Sequence, residues 1–226
     1  MSGVIPNVAK LILVLILITQ LSCRNRSPET HLKKSPLEIL MEGNLRFMEN
    51  HPIHPDQTLE RLRELKQGQH PFAVIVSCSD SRVPPELIFD QGLGDLFVVR
   101  NAGNIISDYE LGSIEYAVEH LETELIVVLG HTECGAISTF VEHKQDSFSN
   151  HIQDIVNYIK AEPEEMVLDE NTFDYSFKAM VANVQHGIKV IENSEPVLKD
   201  LAETNRIKVV GMIYHINSGK IEILEK

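Results

Sequence analysis

"PFAVIVSCSDSRV", residues 71–83, is an apolar run that stops at a cysteine and turns abruptly polar. Two further runs have the same character, "DLFVVRN" (95–101) and "ELIVVLGH" (124–131). Continuous β-branched runs without alternation predict strands covered on both faces, and hence a parallel sheet. Between the second and third runs lies "SDYELGSIEYAVEHLE" (107–122), with Ser107 as a cap and Leu111, Ile114, Ala117, Val118 and Leu121 at helical spacing. The pattern is a βαβ unit.

Working outward, "SPLEILMEGNLRFMEN" (35–50) predicts an N-terminal helical arm. Ser35 caps it, Pro36 suits its first turn and Glu38 closes a capping box. Leu37, Leu40, Met41, Leu45 and Met48 approximate one apolar face. A polar helical stretch runs from Leu59 to Gln67. Downstream, helices are predicted over 133–143, 151–160 and 173–192. In the last, Phe177, Met180, Val181, Val184, Ile188 and Ile191 read as a core stripe. The acidic segment "AEPEEMVLDENT" (161–172) reads as a solvated loop. "RIKVVGMIYHI" and "KIEILEK", joined by "NSG", predict a terminal strand and hairpin. The expected fold class is α/β, with a central, mostly parallel β-sheet flanked by helices.

The chain has 226 residues, 43% of them hydrophobic, enough for one substantial core. Its formal net charge of −13 argues against nucleic acid, whose phosphates need a basic face. A small ligand suits it better. The start of the chain stands apart. "KLILVLILITQLSC" (10–23) has one lysine, an apolar run from Leu11 to Ile18, then Ser22 and Cys23. The run is shorter than the roughly 20 residues of a spanning helix and fits a signal segment. Three parts are therefore expected: a signal peptide over 1–22, a polar tether over 23–34, and one domain over 35–226. Export to the periplasm follows, with Cys23 as the site of a lipid anchor. The alternative is a cytoplasmic protein whose N-terminal segment is not a working signal.

Ligands of open α/β sheets bind outside the carboxyl ends of the strands. Cys78 closes the first run, and His131 and Cys134 follow the third in "GHTECGA". Two thiolates and an imidazole suit Zn²⁺, and Cys₂His with an open fourth position is a catalytic zinc set. Asp80 is a candidate fourth ligand or a neighbour of the site, and Arg82 is close enough to pair with it. Each element alone is weak, because a buried cysteine is usually an inert small hydrophobe. Their convergence on one end of one sheet carries the reading.

"CSDSRV" and "GHTECGA" on either side of a βαβ unit resemble the β-class carbonic anhydrases. The resemblance runs from about Ser35 to about Asn217 and includes "EGNLRF", "FVVRNAGN" and "GSIEYAV". It implies reversible hydration of carbon dioxide to bicarbonate and a proton by zinc-bound hydroxide, with one Zn²⁺ per chain on Cys78, His131 and Cys134. It implies an Asp80–Arg82 dyad in which Asp80 either orients the hydroxide or plugs the metal. It places an active-site glutamine nine positions before the first cysteine, at Gln69, to polarise a substrate oxygen. Phe97 and Tyr116 match aromatic positions near the family's active site. Some of these groups come from the neighbouring subunit in the family, which implies a homodimer or a dimer of dimers. A subgroup regulated by bicarbonate beside a tryptophan is a poor match, since the chain has no Trp. Gly135 is expected to let the following helix approach the metal closely. Two thiolates should leave the metal's water less acidic than an all-histidine site would, so a mildly alkaline optimum is expected. Two alternatives stay open. One is a zinc hydrolase of a linear sulfur analogue such as carbon disulfide. The other is an exported, non-catalytic binding module stapled by a Cys78–Cys134 disulfide.

Overall fold

The computed structural model describes residues 34–143, 148 and 150–225. The signal, most of the tether and Cys23 lie outside the described residues. Residues 35–226 form one unit. Its elements are α1 (Pro36–Met48), α2 (Leu59–Glu64), β1 (Ala73–Cys78), α3 (Pro85–Ile88), β2 (Leu96–Asn101), α4 (Asp108–Leu121), β3 (Leu125–His131), α5 (Gly135–Glu142), α6 (Ile152–Lys160), α7 (Pro163–Met166), α8 (Tyr175–Glu192), α9 (Leu198–Glu203), β4 (Lys208–His215) and β5 (Lys220–Ile223). Single 3₁₀ turns follow α2 at Leu65–Gln67 and β2 at Ala102–Asn104.

The sheet has five strands in the order β2-β1-β3-β4-β5. The first four are parallel and β5 returns antiparallel beside β4. Every residue of β1 and β3 is buried, as continuous apolar runs require. β2 departs from that expectation. It is an edge strand, half-buried along most of its length, so its apolar run is only partly covered within this chain.

Alternation along the strands divides the core in two. Val74, Val76, Cys78, Ile126 and Val128 face Ile114 of α4, Phe140 of α5 and Val184 of α8. Ala73, Ile75, Val127 and Leu129 face Leu40 of α1 and Ile88 of α3. Each fully buried aliphatic side chain contributes roughly 1.5–3 kcal/mol.

The cap of α1 forms as its sequence predicts. The Glu38 amide donates to Ser35 Oγ (3.3 Å), and the Ser35 amide donates to the Glu38 carboxylate (2.7 Å). The buried face differs from the expected stripe, since Leu45 is 47% exposed while Gly43 and Asn44 are buried beside Leu40. Polar and backbone contacts decide this rotation. A Cβ on Gly43 would lie 1.8 Å from the Phe89 carbonyl oxygen. Asn44 donates to the carbonyls of Ile88 (3.0 Å) and Gly219 (2.8 Å) and accepts from the Ile221 amide (3.0 Å). These bonds tie α1 to the β4–β5 hairpin.

The acidic segment is not a solvated loop. It holds α7, with Glu162 1% and Glu165 2% exposed. Tyr175 donates its hydroxyl to Glu165, and Glu164 pairs with His186 (2.9 Å) and Lys189 (2.7 Å). Burial, then the Glu165 and Glu164 charges, push Glu162 up to about 9, so it is held neutral at pH 7.

Candidate metal centre and active site

β1 and β3 are hydrogen-bonded neighbours with Ser77 opposite Leu129, so Cys78 and His131 leave the sheet at the same end. Three residues later Cys134 occupies the N-cap of α5. One donor atom from each of Cys78, His131 and Cys134 lies within 4.8 Å of the others, and all three residues are buried. His131 Nδ1 lies 2.9 Å from the Thr132 carbonyl oxygen. A carbonyl only accepts, so Nδ1 carries the proton and Nε2 the lone pair. Nε2 is buried and has no hydrogen-bond partner among the described residues. A buried orphan acceptor beside two thiols fits a zinc ion, which that imidazole and two thiolates would hold. Cys78 and Cys134 are both free, so the disulfide-stapled alternative is not what the fold builds.

The surroundings favour negative charge on Cys78. The Cys134 thiol, then His131 and the amides of Gly103 and Asp80 (each 3.4 Å from the sulfur), pull its pKa well below the usual thiol range. Cys134 is pushed up by its contact with Cys78 and by burial, while the Ala136 and Ile137 amides at the start of α5 oppose that rise. Without a metal the pair shares a proton, and a divalent cation displaces it.

Asp80 is not one of the clustered donors. Its Oδ1 accepts from the Arg82 amide (2.9 Å) and Nε (3.0 Å), and its Oδ2 accepts from Nη2 (2.8 Å). Arg82 also reaches the Glu133 carbonyl (3.1 Å) and carboxylate (3.4 Å). The Arg82 hydrogen bonds hold Asp80 down at about 2. The plugged arrangement, with Asp80 as fourth ligand, is therefore not the one seen.

A cavity of about 320 Å³ opens at the cluster, lined by His131, Cys134, Ile137, Ser176, Phe177 and Met180 among others. Phe177 and Met180 belong to the predicted core stripe, so part of that stripe lines the cavity beside His131 and Cys134. Nothing in its 3.6-residue spacing separates wall from core. Arg100 went unassigned from sequence, yet it donates to the carbonyls of Cys78 (3.0 Å) and Asp80 (2.7 Å) and fixes the turn between them. A Cβ on Gly135 would meet nothing within 4 Å, whereas Gly103 has φ +81° and a Cβ there would lie 2.9 Å from that of Ala136.

Three candidate residues lie elsewhere in the chain. Gln69 is exposed and precedes β1, so the whole strand separates it from Cys78. Six residues of strand rise about 16 Å. Phe97 pairs with Val74, near the amino end of β2, and its ring lies 6.2 Å from that of Tyr116. Tyr116 is 48% exposed. One chain thus places Cys78, Asp80, Arg82, His131, Cys134 and Gly135 at one end of the sheet, and Gln69, Phe97 and Tyr116 toward the other.

A family model described as "Carbonic anhydrase" matches residues 73–221. A carbonic anhydrase of Mycolicibacterium smegmatis is 37% identical over 188 residues, covering 82% of this chain and 90% of that protein. A "Carbonic anhydrase 2" of Mycobacterium tuberculosis is 36% identical, covering 81% and 88%. Among solved structures, one described with two tetrameric β-carbonic anhydrases from Sordaria macrospora superposes with a TM-score of 0.62 at 30% identity, covering 73% of this chain and 86% of that one.

Proposed function

The chain belongs to the β-class carbonic anhydrase family, and we propose that it interconverts carbon dioxide and bicarbonate on one Zn²⁺ held by Cys78, His131 and Cys134. The observation that carries this is the buried trio of donors, with an orphan Nε2 on His131, a residue that also lines a small cavity. The chemistry supplied at these three residues by a bound Zn²⁺ would be Lewis acidity, which lowers the pKa of a coordinated water from about 15.7 toward about 7. The remaining work falls to the chain's own groups. Asp80 is an acceptor kept ionised by Arg82, so it takes a proton's hydrogen bond and orients the attacking oxygen. Ile137, Phe177 and Met180 give an uncharged, linear substrate an apolar wall. An amide donor facing a substrate oxygen stabilises the charge that develops on it, the role expected of Gln69.

Gln69, Phe97 and Tyr116 reach a metal centre only if another copy supplies them. β2 is an edge strand with Cys78 opposite Asn101 at one end and Ala73 opposite Leu96 at the other. Two β2 edges set antiparallel across a two-fold axis bring the amino end of one beside the carboxyl end of its partner. We infer a homodimer, or a dimer of dimers, in which Gln69, Phe97 and Tyr116 of the partner subunit complete each site. The tetrameric description of the Sordaria relatives supports such an assembly. Export, with a lipid on Cys23, rests on the apolar run 11–18 and the Ser22–Cys23 pair. Full-length protein should then fractionate with membranes, and Cys23→Ser should release it.

Stopped-flow hydration of carbon dioxide, with zinc quantified, tests the function. One zinc per chain and a rate lost in Cys78→Ala support it. Folded, zinc-loaded protein with no rate above buffer overturns it.

A further inference from the structure

We propose that Asn183, on α8, is a positioning residue for the metal centre, acting through Gly103 on the sulfur of Cys78. The inference rests on the zinc reading of that centre. Asn183 is buried in a helix whose neighbouring inward residues, Ala179, Met180, Ala182, Val184 and Gly187, offer no side-chain hydrogen-bonding partner. A buried amide is costly unless it is hydrogen-bonded. Its Nδ2 donates to the Gly103 carbonyl oxygen at 2.8 Å. The Gly103 amide in turn donates to Cys78 Sγ at 3.4 Å.

These two Gly103 groups belong to successive peptide planes joined at one Cα. Glycine leaves that joint free to swing. Gly103 holds the left-handed conformation demanded by its N–H···S bond, pressed against Ala136 in the first turn of α5, next to Cys134. Asn183 locks the second plane and so keeps the first aimed at the sulfur. One side chain on α8 thereby sets the hydrogen bond to one zinc ligand and the spacing to the helix that begins at the other. Partners in this outer layer typically change metal affinity 10–100-fold when removed.

Asn44 supplies the control. It is equally buried and makes more bonds, but it ties α1 to the hairpin on the opposite face of the sheet. Zinc dissociation constants are measured by competition with a chromophoric chelator for wild type, Asn183→Ala, Asn183→Ser and Asn44→Ala. The sulfur-to-metal charge-transfer band of the cobalt(II) proteins is recorded in parallel. Both Asn183 variants should bind zinc about tenfold more weakly and shift the band. Asn44→Ala should lower the melting temperature yet leave affinity and band unchanged. Unchanged affinity in the Asn183 variants, or equal losses in Asn44→Ala, overturns the proposal. If neither Asn183 variant folds, wild type decides. Hydrogen exchange at the Gly103 amide should slow when zinc is added to metal-free protein, and unaltered exchange overturns it. A wild type that binds no zinc refutes instead the function on which the inference rests.

Discussion

At the carboxyl ends of β1 and β3, three donor atoms lie within 4.8 Å, shielded from water and held by a layer of amides and guanidinium groups. Toward the amino ends of β1 and β2, Gln69 and Tyr116 are exposed, and Tyr116 makes ring contacts with Phe97 and His120. The metal donors converge within one chain, whereas Gln69, Phe97 and Tyr116 do not reach them. Burial follows the same division, since β1 and β3 are covered throughout and β2 is half open. On the dimer proposed above, metal binding would be a property of the fold, and the contribution of Gln69, Phe97 and Tyr116 a property of assembly.

The sharpest way to break this contrast is to remove one half at a time. Cys78→Ala should lose its zinc and at least ~10³-fold in hydration rate, read by stopped flow with metal analysis. Gln69→Ala should keep its zinc and lose about 10²-fold. Unfolded together and refolded as a mixture, these two variants should regain about a quarter of wild-type activity, because mixed dimers own one intact site. No recovery would mean that Gln69 acts within its own chain. A smaller effect is expected at the dyad. Arg82→Ala should retain zinc and lose roughly 10–100-fold, since Asp80 is then free to turn toward the metal.

The pH dependence of that variant refines the point. Asp80 has a depressed pKa in the folded protein, so its charge and the stability it contributes are fully present above the ordinary carboxylate range and are lost as pH falls toward about 2. Removing Arg82 should bring the Asp80 pKa back toward the unperturbed value of about 3.9, so the loss of thermal stability that Asp80 causes between about pH 4 and pH 2 should shrink in the variant. The least effect on catalysis is expected at Glu162, which belongs neither to the donor cluster nor to the lining of the cavity beside it. Its raised pKa means that its contribution is present below the unfolded value and is lost as pH rises toward about 9. Glu162→Gln should therefore leave the rate alone and stabilise the protein by a few kcal/mol at pH 8, with almost no gain at pH 4.

Covered strands were legible because burial on both faces leaves nothing to alternate, and the ligands because Cys78 and His131 end such runs and Cys134 follows three residues later. The caps at Ser35 and Ser107 were legible because capping chemistry is local. What escaped depends on which remote surfaces meet. Leu45 and Met48 fit a helical stripe, yet the close approach of Gly43 to Phe89 turns α1 away from it. Glu162 and Glu165 look like solvent-seeking charges until α8 closes over them. Arg100 and Gly103 sit in "FVVRNAGN" with no spacing that announces hydrogen bonds to Cys78, because those bonds exist only once β1 and β2 pair.

The spacing of the donors along the chain has a kinetic consequence. Positions 78 and 131 belong to separate strands with β2 and α4 between them, so an ion gripping both acts as a removable cross-link across that loop. Metal binding and strand docking then favour one another, and an ion caught early in refolding would make the β1–β3 pairing hard to undo. Chelation should therefore loosen the centre of the sheet before its β5 edge.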